Sequence, residues 1–203
     1  SIIEEKDSIY LVEKINEEYI VQIDEIQYTS LQKAIDSIGE NEEKTIEILK
    51  DFELNENINF NKNITLNLKG FTITNQYYRI ENNNNLKIID NTENQQGKIE
   101  NISTIIGILN NSNGNIKIEG GIINSSGNIG KDSYGIYNLS SGSITITEGM
   151  VNSNDNNSYG IYNVSSGNIT IEGGIISSSS DSGYASYGLY NVGGGNITVE
   201  GGI

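Results

Sequence analysis

Tyrosines recur at fixed spacing in the second half of the chain, where they are the side chains best suited to contact a ligand. The segments YGIYN, YGIYN and YGLYN contain them as two series, Tyr134, Tyr159 and Tyr187, and Tyr137, Tyr162 and Tyr190. Aromatic rings with a polar edge can stack on sugars or on a partner surface. Rings on neighbouring strands also pack on each other. We take Tyr137, Tyr162 and Tyr190 as the candidate ligand-binding row and keep a purely structural row as the alternative.

Carboxylates also recur, and they raise the question of a bound cation. Glu119, Glu172 and Glu200 occupy equivalent positions, with Thr147 interrupting the series. Three aspartates that fall in turns of variable length are weak Ca²⁺ candidates: Asp132, Asp155 and Asp181. Stacked carboxylates repel, and Ca²⁺ would relieve that repulsion. The chain has no EF-hand loop, so we expect solvated surface charge and no required cofactor or metal.

Little in the composition favours an enzyme. The 203 residues include no Cys and no His, which excludes thiolate and imidazole chemistry. Arg79 is the only arginine, and only Glu81 is an acid near it. A glycosidase needs two carboxylates about 5–9.5 Å apart, and nothing marks a pairing of Asp90 with Glu100 or Glu119. We predict a non-enzymatic protein.

The formal charge of −15 bears on partners and on the class of protein. An acid excess of this size repels phosphate backbones, so we expect no nucleic-acid partner. Residues 1–60 carry −11 of it, while residues 61–203 carry −4 and 22 of the 23 glycines. No apolar run is long enough to span a membrane, and no signal peptide is visible.

Residues beyond about 106 form an internal repeat of 25–28 residues. Each unit holds three short β-type runs, exemplified by NITIEGGI and YGIYN, with alternating apolar and polar residues and no helical period. Short strands at this period are typical of a solenoid, in which stacked turns pool their apolar side chains. Stacking removes the expectation of disorder that an apolar share of 35% would otherwise raise. The absence of Pro fits strand ladders.

The predicted fold is all-β: a right-handed single-stranded parallel β-helix of about six turns. Residues 1–44 are predicted to form an N-terminal cap of two strands and a helix at 30–39, with Ser30 as N-cap and Gly39 ending the helix. Residues 45–203 are predicted to form the β-helix. The chain stops inside a repeat, so we expect further repeats, another domain or another molecule to cover the open C-terminal end.

A resemblance covers about residues 28–203. The stretch from YTSLQKAID through TIEILKD to NITLNLKGFTI, residues 28–74, resembles the entry into pectate-lyase-like parallel β-helix domains of Gram-positive bacterial surface proteins and adhesins. The resemblance implies an extracellular location, secreted or attached to the cell wall. No catalytic residue of lyases or hydrolases with this fold finds a matching position here.

Together these observations predict a structural or adhesive segment, a stalk or an adhesin-like solenoid, of a secreted or cell-surface bacterial protein. Its partners would be host or cell-surface glycans or proteins. The alternative is a carbohydrate-binding or polysaccharide-processing β-helix module whose active part lies outside this segment. Exposed tyrosines whose loss weakens glycan binding would favour binding, whereas a groove lined by close carboxylates would favour an enzyme.

Overall fold

Short β-strands stacked in parallel build the protein. The computed structural model describes residues 2–5, 8–11, 18–127, 131–180 and 183–203. In chain order the elements are β1 (Ile2–Glu5), β2 (Ser8–Leu11), β3 (Val21–Ile23), β4 (Ile26–Tyr28), α1 (Leu31–Asp36), β5 (Glu43–Ile48), β6 (Phe52–Glu53), β7 (Ile58–Phe60), β8 (Asn63–Asn67), β9 (Thr72–Asn75), β10 (Ile80–Asn82), β11 (Asn85–Ile89), β12 (Lys98–Asn101), β13 (Ile106–Asn110), β14 (Asn115–Ser126), β15 (Ser133–Asn138), β16 (Ile144–Asn154), β17 (Ser158–Asn163), β18 (Ile169–Ile171), β19 (Ile175–Ser179), β20 (Ser186–Asn191) and β21 (Ile197–Val199).

The strands from β5 onward form the three faces of a parallel β-solenoid. The first face stacks β5, β8, β11, β14, β16, β18 and β21, and the third stacks β7, β10, β13, β15, β17 and β20. The second face contains β6, β9, β12 and β19, together with the second halves of β14 and β16. From β7 to β20 the chain makes about five turns, where the sequence predicted about six. The prediction of a parallel solenoid is confirmed.

Residue-for-residue register turns the repeat into columns. Ile116 pairs with Ile144, and Ile144 pairs with Ile169, so the alternating run of each unit points the same residues inward. These isoleucines are buried and belong to one hydrophobic core that continues through the turns. On the third face Ile136 and Ile161 pair and are fully buried. A single turn could not enclose such a core, and the stack supplies it.

A bulge lets β14 and β16 bend from the first face to the second. The register shifts around Glu119, which pairs with Glu148, one residue beyond Thr147. Gly121 and Gly149 follow with φ of 78° and 82°. This left-handed backbone favours glycine, which explains the glycine in each EGG or TEG segment.

The N-terminal end of the solenoid is closed by β3, β4 and α1. Strand β3 pairs antiparallel with β5, with Val21 opposite Ile48, and so covers the edge of the first turn. Ser30 is the N-cap of α1, and its Oγ accepts a hydrogen bond from the backbone N–H of Lys33 at 3.2 Å. The apolar face of α1 is buried against the core.

The helix is shorter than the predicted 30–39. It ends at Asp36, and its C-cap is Ser37 in right-handed helical conformation, whose hydroxyl donates to the carbonyl oxygen of Ala34 at 2.7 Å. The expectation that Gly39 ends the helix is therefore wrong: a serine side chain satisfies the last turn two residues earlier. The sequence also predicts the two cap strands at SIYLVE and EYIVQID; β2 covers the described part of the first, and β3 lies within the second.

Candidate functional site: the tyrosine columns

The six repeat tyrosines lie together on the outer face of the third sheet, in β15, β17 and β20. Within SYGIYN the strand does not alternate strictly, because Gly135 and Ile136 are both buried. Tyr134 and Tyr137 are therefore both directed outward although they are three residues apart. The strand register repeats this placement in the next two turns. We call these six side chains the tyrosine array.

Rings pack on one another within each column of the array. Tyr159 lies between Tyr134 and Tyr187, with ring centroids 5.1 and 5.5 Å apart and planes 9° and 11° from parallel. Tyr162 lies between Tyr137 and Tyr190 at 5.2 and 5.4 Å. The packing expected of a structural row is thus present, and most of the rings remain half-buried.

The two columns differ in ring orientation. Tyr134 meets Tyr137 edge to face at 5.0 Å and 89°, and Tyr159 meets Tyr162 at 4.9 Å and 68°. In the last turn Tyr187 and Tyr190 are tilted by 49°, so the angle between the columns decreases along the three turns. Neighbouring rings are stacked within both columns, whereas contacts between the columns are edge to face or tilted.

An aliphatic column borders the tyrosine array. Its members follow the buried asparagine of each repeat: Leu139, Val164 and Val192. The N–H of each donates to an asparagine carbonyl of the preceding turn, at 2.9, 3.1 and 2.9 Å respectively. Leu139 is 44% exposed and Val192 is 54% exposed. The sequence interpretation missed this column, although the apolar residue after every YGxYN was its signal.

Asp132 gives one corner of the array a negative charge. The Tyr134 hydroxyl donates to Asp132 Oδ2 at 3.3 Å. Burial, and then the Asp132 charge, raise the pKa of Tyr134 well above its usual range. Burial is also the main cause of the raised pKa values of Tyr159 and Tyr162, with Asp132 contributing. These phenols stay neutral hydrogen-bond donors at physiological pH.

Of the predicted Ca²⁺ candidates, the structure describes Asp132 and Asp155, and within the described ranges they form no metal-binding cluster. Asp132 also accepts from Asn157 Nδ2 at 2.9 Å, while Asp155 Oδ1 accepts from the N–H of Asn156 at 2.7 Å. Asp181 lies outside the described residues. Across the described ranges, no group of three or more acidic side chains could hold a metal ion.

The carboxylates considered for catalysis are engaged separately. Asp90, only 4% exposed, accepts from the backbone N–H groups of Gly70 and Thr92 at 3.1 and 3.0 Å. It also accepts from Thr92 Oγ1 at 2.7 Å and from the Gly97 N–H at 2.5 Å. Its hydrogen bonds therefore fix the loop that follows β11.

Glu119, Glu100 and Arg79 are each held by neighbours. Glu119 forms ion pairs with Lys87 and Lys117, both at 2.5 Å. Hydrogen bonds from these two lysines lower the pKa of Glu119. Glu100 forms an ion pair with Lys98 at 2.6 Å, and Arg79 forms one with Glu81 at 2.9 Å.

A buried asparagine ladder runs behind the tyrosine array. The Nδ2 of each asparagine donates to Oδ1 of the next one at 2.7–2.8 Å, along Asn82, Asn110, Asn138, Asn163 and Asn191. Its members beyond Asn110 are the asparagines that follow YGxY in each strong repeat, and Asn82 extends the ladder by one turn. It joins five consecutive turns of the third face.

A separate groove lies on the outer side of the first face. Its volume is about 430 Å³. Polar side chains of successive turns line it, among them Asn85, Asn115, Lys87, Lys117 and Thr145. Lys87 and Lys117 both form ion pairs with Glu119. Among the residues that line this groove, Glu43 is the one carboxylate, so the groove does not bring two carboxylates together.

Comparison of the chain with protein-family models, with curated proteins and with solved structures gives no match. Within the described ranges, no helix is long and apolar enough to cross a membrane.

Proposed function

We propose that this chain is a non-enzymatic structural and adhesive segment of a secreted or wall-attached bacterial protein, related to pectate-lyase-like solenoids of Gram-positive surface proteins. The asparagine ladder carries the proposal. It links five turns through side-chain amides, four of them buried, with bonds of 2.7–2.8 Å. Buried, fully paired polar networks rigidify a fold, and a rigid rod is what a stalk or a display scaffold requires.

The hydrogen bonds and ion pairs of the candidate carboxylates support a non-enzymatic role. Asp90 accepts four hydrogen bonds from its own loop and its neighbours. Glu119 shares its charge with two lysines. A general acid or a nucleophile must instead be free to reach a substrate.

Two measurements test this proposal. The chain is incubated with homogalacturonan, xylan and peptidoglycan in Ca²⁺-containing buffer, and new reducing ends and unsaturated products are quantified. We expect none above buffer. Antibodies against the chain should also label intact cells of the encoding bacterium as strongly as permeabilised ones. Product release, or labelling that requires permeabilisation, would contradict the proposal.

A second candidate function is carbohydrate binding without cleavage. The tyrosine array supports it, because phenol rings with an apolar body and a polar tip suit sugars. Stalk and binding surface are compatible in one solenoid, since the ladder is buried and the array is on the outside.

A further inference from the structure

We propose that the tyrosine array and the aliphatic column beside it form one docking surface for a neutral oligosaccharide. This surface, here called the nine-residue face, consists of Tyr134, Tyr137, Leu139, Tyr159, Tyr162, Val164, Tyr187, Tyr190 and Val192. The inference rests on the proposed adhesive role and names the ligand class for it.

Continuity of the backbone ladder unites the nine residues. Asn138 and Asn163 are fully buried, and the next residue of each turn, Leu139 or Val164, continues the hydrogen bonding to the preceding turn. Leu139 is 44% exposed and follows Tyr137 by two residues, just past the end of β15. The result is three columns of three side chains, two aromatic and one aliphatic, across three consecutive turns.

Charge excludes anionic ligands. None of the nine residues is charged, and residues 119–203 contain seven acidic residues against one basic residue, Lys131. An anionic sugar would meet repulsion from these turns and no compensating cation on the face. A cationic group would lose hydration over the uncharged side chains, and the carboxylate at the corner, Asp132, already accepts hydrogen bonds from Tyr134 and Asn157.

Size favours a short sugar chain over a folded protein. Three strands about 4.8 Å apart, with six residues at about 3.3 Å each, span roughly 300 Å². A stable protein–protein interface buries about 800 Å² on each partner. The face is too small for that, but an apolar patch of a few hundred Å² is often functional on a monomer.

Ring geometry provides the contacts that sugars use. Tyr134 and Tyr137 meet edge to face, so the two columns present differently oriented ring faces on the outer side of the third sheet. Such faces can pack on the C–H side of a pyranose, while phenol hydroxyls donate to its oxygens. The Tyr134 hydroxyl already donates to Asp132, so the other five hydroxyls of the array supply these donors.

Tyrosine fluorescence and calorimetry test the inference directly, because the chain has 12 Tyr and no Trp. The neutral probes are cellotetraose, maltotetraose and N-acetylchitotetraose; tetragalacturonate is the anionic probe and tetralysine the cationic one. We expect heat and a fluorescence change with at least one neutral probe, and an affinity at least about tenfold weaker for the two charged ones.

Variants separate the face from the fold. Leu139→Glu places a charge on an exposed position of the face and should weaken binding about tenfold or more. Tyr162→Ala removes the centre of one column and should act likewise. Tyr77→Ala is the matched control, because Tyr77 is 73% exposed and lies outside the face; its affinity should equal that of the parent protein.

Three results would overturn the inference: no neutral probe binds, a charged probe binds more tightly, or Leu139→Glu retains full affinity while its melting curve is unchanged. None of these would touch the proposed stalk role, which depends on cell labelling and on the absence of cleavage products. Conversely, labelling only of permeabilised cells would refute the proposed location without altering the binding data.

Discussion

The side-chain amide of Asn138 donates to Oδ1 of Asn163 at 2.7 Å, while Oδ1 of Asn138 accepts from Asn110 at 2.8 Å. All three side chains are fully buried. Asn138→Ala would leave a buried donor and a buried acceptor without these partners. We expect it to lower the free energy of unfolding by about 2–4 kcal/mol, as measured by urea denaturation.

The control for Asn138 is Asn115→Ala. Asn115 Nδ2 donates to Asn85 Oδ1 at 2.8 Å, a bond of the same kind, but on the exposed outer side of the first face. Water can replace that bond, so the loss should stay below about 1 kcal/mol. Equal losses in the two variants would show that burial of the ladder is not the source of its strength.

Gly135 marks a close approach between turns. A Cβ at this position would lie 2.6 Å from the carbonyl oxygen of Gly160 and 2.7 Å from Val151 Cγ1. Gly135→Ala must therefore displace backbone, and we expect a loss of about 3 kcal/mol or failure to fold. Thermal unfolding of Gly194→Ala is the comparison, because a Cβ at Gly194 meets nothing within 4 Å. A Gly135→Ala protein as stable as Gly194→Ala would contradict the packing.

The repeat made most of the fold predictable. Ile116, Ile144 and Ile169 recur with the same neighbours, and parallel stacking follows because identical units bury identical faces. The residue that ends α1 was not predictable. Ser37 is the C-cap of α1, because its hydroxyl donates to the carbonyl oxygen of Ala34. The sequence pattern does not show whether Ser37 or the later Gly39 ends the helix.

The candidate site was only partly predictable, for a geometric reason. Alternation from a buried Ile136 places Tyr137 outside, but strict alternation would direct Tyr134 inward. The glycine at 135 breaks the period, since it is buried beside Ile136. The column that begins with Leu139 lies just past the end of β15, so a search for strand residues alone does not include it. Whether sugars bind there stays a prediction.

Acid should weaken the fold partly through Glu119. Hydrogen bonds from Lys117 and Lys87 lower its pKa from the usual 4.5. The stabilisation is complete above that value and is lost as the pH falls through the lower pKa of the folded state. We expect Glu119→Gln to reduce the pH dependence of the unfolding free energy below about pH 4.5, by less than about 1 kcal/mol in total.

Glu200→Gln is the matched variant for that titration. Glu200 recurs in the same segment of the repeat and is exposed, and it makes no ion pair with the described residues. Its urea midpoints measured from neutral to acidic pH should follow those of the parent. A steeper acid loss in Glu119→Gln than in the parent would refute the ion-pair argument.

Titration with alkali should separate the half-buried tyrosines of the array from the exposed tyrosines. Burial raises the pKa of Tyr134, Tyr159 and Tyr162 above the usual 10. Unfolded chains lose these protons first, so stability falls as the pH rises through about 10. Phenolate absorbance should show a late-titrating subset that joins the rest after unfolding. Asp132→Asn should lower the pKa of Tyr134, and a single uniform titration in the folded parent would contradict the burial.

Substitution of Asp90 tests whether its carboxylate is structural or catalytic. It accepts from the N–H groups of Gly70, Thr92 and Gly97, and each bond to a carboxylate is stronger than one to a neutral oxygen. Asp90→Asn turns one acceptor into a donor that faces N–H groups, so we expect a loss of about 2–4 kcal/mol in urea denaturation. Asp51→Asn, at a carboxylate that accepts from Thr72 on the exposed surface, should cost below about 1 kcal/mol. If Asp90→Asn instead kept full stability and abolished a polysaccharide-cleaving activity of the parent, both the structural role of Asp90 and the non-enzymatic proposal would fall together.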